Sequence, residues 1–585
     1  MENEIEGRSR LLIVLILAVV AGIIWLLSLL FAYPEFQNTR LDNPLAEIKS
    51  LFPLYYVAIA LFSLSIVTCW VWRIGSRFLH VMLLVLFAAM LWLTPYLLTG
   101  FVRLPDGPWH VGTAMNISEV LDGQTIAFSD YAWDYPGSFV FHKVFVDIVG
   151  IEPLTYLYIY PAISCFIVVL LGYAILSRLF NSRVAFLSLA IAIPGLHYIQ
   201  LHASPHTLGA LMMLTALLLL AMRGRALNIV AVVFVLFAVT IVTHPQTPLL
   251  ISIFLTAAII VGLIRSRRID LSWVLLAGIL IFCFAGWYVW YFYYPVSPWN
   301  VTATTPGSII STTLGSVTSG EFDVGSEYLT GTRFIYSNIY NLNKAIYFLY
   351  AAVCALGILY VAVRAYFHTG GIGRWLSRLC GLKRSEAMLA VSVLPLLFLS
   401  FLLAAWNHVL IESGLTYIIL AFSCIIISIF SRLRWIQRGL GYAFLATAVL
   451  FLTLSSPIVA YSIDAYSNYP ESEGAGLMFL AERGSLQGKT VATSNITQVF
   501  LYGQPSPVET DLLRLGAGGI GDIDEGGPDI VAFRSTGYYY SAMRNTLSFE
   551  NNRYDEYLAD VESAGYGKVY SSQTFDVYYN SRPVK

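Results

Sequence analysis

Charged residues are scarce in this chain of 585 residues: Asp, Glu, Lys and Arg make up 12% of it, whereas a typical soluble domain has about a quarter. Hydrophobic residues reach 57%. This balance excludes a cytosolic enzyme of ordinary surface chemistry, because water cannot be the main solvent of such a chain. The net charge of −1 also excludes a broad basic face that would bind nucleic acid.

Cysteine is sparse as well, with six residues in the whole chain. None of them stands in a CxxC or Cys/His spacing of the kind that holds zinc. Neither a structural zinc site nor a disulfide framework is therefore expected.

Long apolar runs are abundant. A hydrocarbon core about 30 Å thick needs roughly 20 apolar residues of helix. Runs of this kind predict thirteen membrane-spanning helices, at approximately 11–32, 52–72, 78–100, 153–176, 184–201, 206–222, 226–243, 247–264, 271–293, 345–363, 387–405, 411–430 and 440–460. Four prolines shorten or break the segments of 184–264, and removing one helical hairpin there would leave the sidedness unchanged.

Lys and Arg are distributed unevenly between the two sets of connections. The set that includes the N-terminus carries nineteen of them, and the alternating set carries six. By the positive-inside rule, the N-terminus lies in the cytoplasm and residues 461–585 lie outside. The predicted fold class is a polytopic α-helical membrane protein of the cell membrane with about thirteen spans and a small extracytoplasmic α/β domain.

This reading divides the chain into four parts: N-terminal membrane helices at 1–100, a large outer loop at 101–152, a membrane core at 153–460, and the outer domain at 461–585. The core includes a second outer loop at 294–344, which is rich in Ser, Thr and Gly and could close over a bound lipid. In the outer domain, patterning predicts helices at 475–483 and 554–563, strands at 490–493 and 529–533, and a hairpin at 568–580.

The first outer loop carries the best candidate for catalysis. Asp106 lies a few residues beyond the third predicted span, where partial shelter from water suits a general base that must be ionised yet reactive. Asp106-Gly107-Pro108 also fits the start of a helix, so a capping role stays open. Further along, apolar spacing predicts two short interfacial helices at 110–121 and 139–149, joined by an aromatic and acidic turn that contains Asp134.

Histidines sort by face. Seven of the nine fall on the predicted outer side or at its boundary: His110, His142, His197, His202, His206, His244 and His408. Ionisable groups at a membrane boundary are costly to keep there, so each is a functional candidate. For His197, His202, His206 and His244 we favour hydrogen bonds to a phosphate or to sugar hydroxyls over ligation of a metal ion.

These features together resemble the GT-C superfamily of membrane glycosyltransferases. The resemblance rests on LPDGPWHVG, the acidic loop after it, the DYPGS bend, and the order of short spans and outer tail. Protein mannosyltransferases, aminoarabinose transferases and oligosaccharyltransferase catalytic subunits are members. By this resemblance Asp106 takes the place of the catalytic carboxylate in the first loop. The chain departs from the family in placing that loop after the third span and in lacking the WWDYG sequence.

The resemblance implies an inverting glycosyltransferase that moves a sugar from a polyprenyl phosphate, dolichyl or undecaprenyl, to an outer glycan, lipid or protein acceptor. Asp106 would be the base. His110 and Asp134 would position the acceptor or hold a divalent ion, which is left open as a cofactor. The remaining candidates for substrate contacts are His197, His202, His206, His244, Arg333 and His408.

Two rival functions stay open. One is a transporter or flippase of a polar or lipid-linked solute, although no internal repeat is visible and the charges gather at outer helix ends rather than at the midplane. The other is a protein that recognises glycans without acting on them. A cavity closed from the cytoplasm would favour the enzyme.

Overall fold

The structure is a computed structural model of the full chain. It describes residues 2–37, 46–51, 53–99, 102–103, 106–118, 129–195, 201–221, 227–244, parts of 247–259, 271–293, 439–464, 468–469, and 562 together with the strands of the outer domain. The described part is mostly helical, as predicted.

Five helices precede the first loop. They are α1 Glu2–Gln37, α2 Ala46–Ser50, α3 Pro53–Val71, α4 Arg77–Ala88 and α5 Thr94–Leu98, with a π-helical turn Ala89–Leu93 between the last two. The π turn precedes Pro95, which has no N–H to continue the α-helical ladder. Trp92 in this turn donates its indole N–H to the Ile193 carbonyl oxygen at 3.2 Å.

Helix α1 packs against α3 along one narrow seam. Val14, Ala18 and Ala21 are buried at helical spacing, and Ser65 of α3 donates to the Val14 carbonyl oxygen at 3.0 Å. The other faces of α1 expose large apolar side chains such as Leu12, which is 58% exposed. A helix apolar on all sides but packed on one is suited to lipid surroundings.

Four described helical segments are long and apolar enough to cross a membrane: Glu6–Phe36, Pro53–Val71, Arg77–Leu98 and Pro153–Leu179. They coincide with the first four predicted spans. Shorter apolar helices overlap five further predicted spans, at Ser182–Gly195, Pro205–Leu219, Ala231–Ile241, Ala277–Trp290 and Ala446–Ile458. The predicted span at 247–264 is described only in part, and those at 345–363, 387–405 and 411–430 lie outside the described residues, so the total of thirteen stays a prediction.

The described residues of the first outer loop include the following three helices, where two were predicted for the loop. They are α6 Asp106–Met115, α7 Ser129–Asp134 and α8 Pro136–Val149. The extra helix, α7, occupies the turn expected to be irregular. It stops at Tyr135 (φ −130°, ψ 61°), because Pro136 disfavours a helical conformation in the residue before it and then serves as the first residue of α8.

The remaining helices form the rest of the described bundle. They are α9 Pro153–Leu179, α10 Ser182–Gly195, α11 Pro205–Ala221, α12 Leu227–Ile241, α13 Leu271–Tyr293 and α14 Gly439–Asp464. Helix α9 packs against α4, α10 and α11 and also contacts α6. A length of 27 residues makes it about 40 Å long. It therefore connects the first outer loop to the opposite end of the bundle.

Strands lie at two places. A short antiparallel pair joins β1 Val102–Arg103 to β2 Asn468–Tyr469, so the start of the first loop is tied to the segment that follows α14. A five-stranded sheet of order β4-β3-β5-β7-β6 consists of β3 Val491–Thr493, β4 Thr510–Leu512, β5 Ile530–Arg534, β6 Tyr566–Ser571 and β7 Phe575–Asn580.

The sheet is mixed: β3 runs parallel to β4 and β5, whereas β7 is antiparallel to β5 and β6. The two predicted strands are present as β3 and β5 and the predicted hairpin as β6 and β7, whereas β4 was missed because its three residues are too few to show alternation. The predicted helices at 475–483 and 554–563 lie outside the described residues apart from 562, so the α/β class of this domain stays a prediction.

Candidate functional site

The predicted base opens the first helix of the outer loop. Asp106 is the first residue of α6, four residues before the predicted start. Its neighbour Gly107 is buried, and a Cβ at Gly107 would lie 3.7 Å from Cβ of His202 and 3.5 Å from Cδ2 of Leu157. The glycine thus lets the start of α6 approach His202 closely, which brings the Asp106-Gly107 pair to the histidine-rich segment.

Five histidines meet beside this point, four of them buried and His206 partly buried, and we call them the histidine cluster: His110, His142, His202, His206 and His244. They come from α6, α8, the segment before α11, the first turn of α11 and the segment after α12. The rings of His110 and His202 stack with their centroids 6.3 Å apart and their planes 12° apart. Those of His206 and His244 meet edge to face at 5.3 Å.

Local packing explains why His206 and His244 come together. Ser204 caps α11 by accepting from the Thr207 N–H at 3.2 Å, which fixes His206 in the first turn. Within α11, Gly209 packs directly against Thr247, and a Cβ there would also lie 3.3 Å from Cβ of His244. Nδ1 of His244 shares a hydrogen bond of 3.1 Å with the Thr247 hydroxyl.

His142 is held by tyrosines of α9. Its Nδ1 and the Tyr156 hydroxyl share a hydrogen bond of 2.6 Å, and its ring meets that of Tyr160 edge to face at 5.4 Å. Helix α8 is fixed at its other end, where the N–H of Gly137 donates to the Val242 carbonyl oxygen at 2.8 Å. A Cβ at position 137 would lie 3.0 Å from that oxygen, so only glycine fits there without a shift.

Several polar atoms of the histidine cluster are buried without a partner. Both ring nitrogens of His202 and Nε2 of His142 make no hydrogen bond to any described residue. Such atoms cost about 1–3 kcal/mol each when they are left unsatisfied. A neutral imidazole offers one donor and one acceptor, which matches sugar hydroxyls, and its N–H suits a phosphate oxygen. The cluster is therefore equipped to bind a polar ligand.

Burial keeps these imidazoles neutral. It lowers the pKa of both His142 and His202 to about 3, and the nearby His206 and His142 add to the effect on His202. Burial also lowers the pKa of His110 and His244 well below the ordinary value, helped by neighbouring histidines. At neutral pH the cluster therefore binds through neutral N–H donors and lone pairs.

Acid should weaken the fold through this cluster. The unfolded chain protonates His142 and His202 near pH 6.5, whereas the folded protein does so only near pH 3. Protonation therefore does not affect the stability of the folded protein above pH 6.5, and it lowers the free energy of unfolding increasingly as the pH falls from 6.5 towards 3. We expect a loss of about 1–3 kcal/mol per histidine between pH 7.5 and 4.5, measured by unfolding in detergent. The free energy of unfolding of His202→Leu should fall less than that of wild type over this range. Equal falls would contradict the lowered pKa of His202.

Asp134 is fully buried at the end of α7. Its carbonyl oxygen accepts from the indole N–H of Trp290 in α13 at 2.8 Å. The ring of Phe139, at the start of α8, lies 5.7 Å from that of His110, so the helix that follows Asp134 contacts the histidine cluster. As a site residue, Asp134 stays a prediction.

The structure brings together part of the predicted set. His110, His202, His206 and His244 meet beside the start of α6, whereas His197, Arg333 and His408 lie outside the described residues. His142 was counted among the outer histidines but not assigned to the site. Two signals could have found it. His142 lies on the same face of α8 as the apolar residues Phe139 and Val146, and it is one of the seven histidines on the predicted outer side.

The described residues give no support to a metal centre. No group of three or more His, Cys, Asp or Glu side chains in the described part of the chain is arranged to hold a metal ion. The ring separations of 5.3 and 6.3 Å are those of packed rings. We therefore derive no step through a metal ion.

Comparison with known proteins gives structural matches only. No protein-family model matches the chain, and no curated protein matches it. It is similar to ArnT from Cupriavidus metallidurans bound to undecaprenyl phosphate, with 11% identity, a TM-score of 0.43, and coverage of 86% of this chain and 98% of that one. It is also similar to the apo form of that protein, with 12% identity, a TM-score of 0.45, and coverage of 86% of this chain and 97% of that one.

It is also similar to an oligosaccharyltransferase from Archaeoglobus fulgidus in complex with Zn and sulfate. The identity is 13% and the TM-score 0.46, and the match covers 86% of this chain and 73% of that one. Oligosaccharyltransferases are among the enzymes that the sequence resemblance named. With all three TM-scores below 0.5, we take the function from this chain's own residues.

Proposed function

We propose that this chain is an integral membrane glycosyltransferase that transfers a sugar from a polyprenyl phosphate to an acceptor on the outer face of the membrane, with inversion at the anomeric carbon. One observation carries the proposal. Gly107, the residue after Asp106, packs against His202 of the histidine cluster, in which both ring nitrogens of His202 and Nε2 of His142 make no hydrogen bond to a described residue. The sequence resemblance supplies the class of reaction.

The transfer requires a base and a stabilised leaving group. The Asp106 carboxylate would take the proton of the acceptor hydroxyl while that oxygen attacks the anomeric carbon from the face opposite the phosphate. The bond between the anomeric carbon and the phosphate oxygen breaks as the new glycosidic bond forms. N–H donors of the histidine cluster would stabilise the charge that develops on the departing phosphate.

The donor's polyprenyl chain must reach the site from within the bilayer. Helix α8 buries Phe139, His142 and Val146 on one face. Its other face exposes large apolar side chains, including Val144 at 47% and Ile148 at 79%. A helix with an apolar outer face beside a polar cluster suits the membrane interface, where a lipid carrier would arrive.

The sidedness of the site is supported by the two ends of α9. Tyr156 and Tyr160, near its start, contact His142. Arg178 lies in its last turn, at the end of the bundle where other arginines gather. With basic residues placed in the cytoplasm, the histidine cluster falls on the outer face. We also retain the predicted roles of His197, Arg333 and His408 in contacts with sugar or phosphate.

A transfer assay in detergent tests the proposal against the rival flippase. Purified protein is incubated with a polyprenyl phosphate that carries a radiolabelled sugar and with an extract of outer-face glycans and lipids. Detergent micelles have no two leaflets, so a flippase yields no product. We expect label in the acceptor fraction with inverted anomeric configuration. Release of free polyprenyl phosphate without labelled product, or no turnover at all, would contradict the proposal.

A further inference from the structure

The opposite end of the bundle carries a group of six arginines, which we call the arginine end: Arg8, Arg10, Arg73, Arg77, Arg178 and Arg183. They come from the start of α1, the turn between α3 and α4, the end of α9 and the start of α10. Arg10 lies over the ring of Trp72 at 6.0 Å, and Arg183 over that of Trp70 at 4.5 Å. These contacts join the separate helix ends into one surface.

The turn between α3 and α4 is rigid and presents two of these arginines to the outside. The N–H of Ile74 donates to the Cys69 carbonyl oxygen at 3.2 Å, which closes the end of α3. Nε2 of His80 lies 2.8 Å from the Ile74 carbonyl oxygen and fixes the turn from the bundle side. Ser76 then caps α4 through the Leu79 N–H. Arg73 and Arg77 are both exposed on this frame.

Arg73 holds a backbone conformation that arginine disfavours. Its φ of +57° is the left-handed region, which glycine usually occupies at the end of a helix. A residue with a Cβ is strained there. An outlier of this kind at an exposed charged position points to a function for the side chain.

An apolar stripe begins directly beside Arg77. Phe78, Met82 and Leu86 follow one another at intervals of four on α4 and are 75%, 44% and 39% exposed. They form a continuous outer face of a helix that is long and apolar enough to cross a membrane as part of Arg77–Leu98. Arg73 and Arg77 thus stand at one end of an apolar stripe that runs along α4. This arrangement matches a molecule with an anionic headgroup and hydrocarbon tails.

We propose that the turn between α3 and α4, which is one part of the arginine end, binds an anionic phospholipid of the inner leaflet, with the headgroup phosphate on Arg73 and Arg77 and an acyl chain along Phe78, Met82 and Leu86. Arginine binds phosphate oxygens through paired N–H donors. The exposed stripe distinguishes this ligand from a free phosphate, which would gain nothing from it. This site lies at the other end of α9 from the histidine cluster and is separate from the proposed transfer reaction.

The test compares three single variants that each remove one positive charge from this end. Arg73→Gly also relieves the left-handed strain, Arg77→Gln keeps the side-chain bulk, and Arg8→Gln is the matched control on α1. Binding of phosphatidylglycerol and of phosphatidylcholine is measured by native mass spectrometry of the detergent-purified chain. We expect wild type to prefer phosphatidylglycerol, Arg73→Gly and Arg77→Gln to weaken that binding about fivefold each, and Arg8→Gln to change it less than twofold.

Folding and ligand source are checked in the same samples. The unfolding temperature of Arg73→Gly should equal or exceed that of wild type, so weaker lipid binding cannot be ascribed to misfolding. Soluble glycerol phosphate at the same concentration should not displace the lipid. An equal loss of phosphatidylglycerol binding in all three variants would show that the lipid responds only to the total positive charge of this end. Displacement of the lipid by glycerol phosphate would show that the site binds free phosphate. Either result would overturn the proposal.

Discussion

The Asp106→Asn variant is expected to lose sugar transfer by about 100- to 10,000-fold while the protein remains folded. This is the range that a positioned general base contributes to a reaction. Asparagine keeps the size and the capping ability of the side chain at the start of α6, so the helix should still form. The substitution therefore removes proton acceptance and little else. The measurement is kcat of transfer from a polyprenyl-phosphate-linked sugar, with the variant matched to wild type in expression and unfolding temperature.

Asp147→Asn provides the matched control in the same loop. Asp147 is an exposed residue of α8 whose carboxylate accepts from Lys143 Nζ at 2.8 Å. An exposed pair four residues apart on a helix contributes less than about 1 kcal/mol. Its loss should change transfer less than twofold. Full activity in well-folded Asp106→Asn would remove Asp106 from the role of base and leave it as a helix-starting residue.

The sidedness of the candidate site stays a prediction, and it rests on how charge and histidine are distributed between the two sets of connections. Most Lys and Arg lie in one set of connections and most histidines in the other, and this can be counted without any fold. The four long spans likewise follow from length and hydrophobicity alone. On the same basis His110, His202, His206 and His244 were all placed on the predicted outer side, and they lie together in the structure. Their roles in binding substrate stay predictions.

The selection of partners within the site could not be predicted in this way. His142 joins the cluster because of two contacts. The N–H of Gly137 donates to the Val242 carbonyl oxygen, and Nδ1 of His142 shares a hydrogen bond with the Tyr156 hydroxyl. The first contact links segments about 100 residues apart and the second links residues 14 apart. Hydrophobic periodicity in the sequence predicts neither of them. The helix α7 was missed for a local reason, since the effect of Pro136 on Tyr135 was interpreted as a loop. The left-handed Arg73 gave no sequence signal, because the glycine expected at such a turn stands two residues later.

The chain contains a second buried histidine environment that contrasts with the site. His80 of α4 has both ring nitrogens bonded, Nδ1 to the Tyr173 hydroxyl at 3.1 Å and Nε2 to the Ile74 carbonyl oxygen at 2.8 Å. Its ring also stacks on Phe186 at 4.3 Å. His202 is equally buried, and neither of its nitrogens bonds to a described residue. The first pattern is that of a structural histidine, and the second leaves ring nitrogens able to bind a polar ligand, as the proposed function requires.

Replacing each of these histidines with leucine should therefore have opposite effects. His80→Leu breaks two hydrogen bonds and leaves the Tyr173 hydroxyl and the Ile74 carbonyl without their partner, so the free energy of unfolding should fall by about 1–3 kcal/mol. Transfer per folded molecule should stay within about twofold of wild type, because His80 lies at the arginine end. His202→Leu removes two unsatisfied nitrogens from the interior, so the free energy of unfolding should be unchanged or higher by about 1 kcal/mol.

The stabilised His202→Leu protein should nevertheless transfer sugar about 100-fold more slowly, since a donor to the developing phosphate charge contributes about that much. Both variants are measured at pH 7.5 by unfolding in detergent and by initial transfer rates. A variant that becomes more stable while it loses activity cannot have failed through misfolding. If instead His202→Leu unfolds as readily as His80→Leu and keeps its transfer rate, the buried nitrogens of His202 serve the fold, and the phosphate must be bound elsewhere.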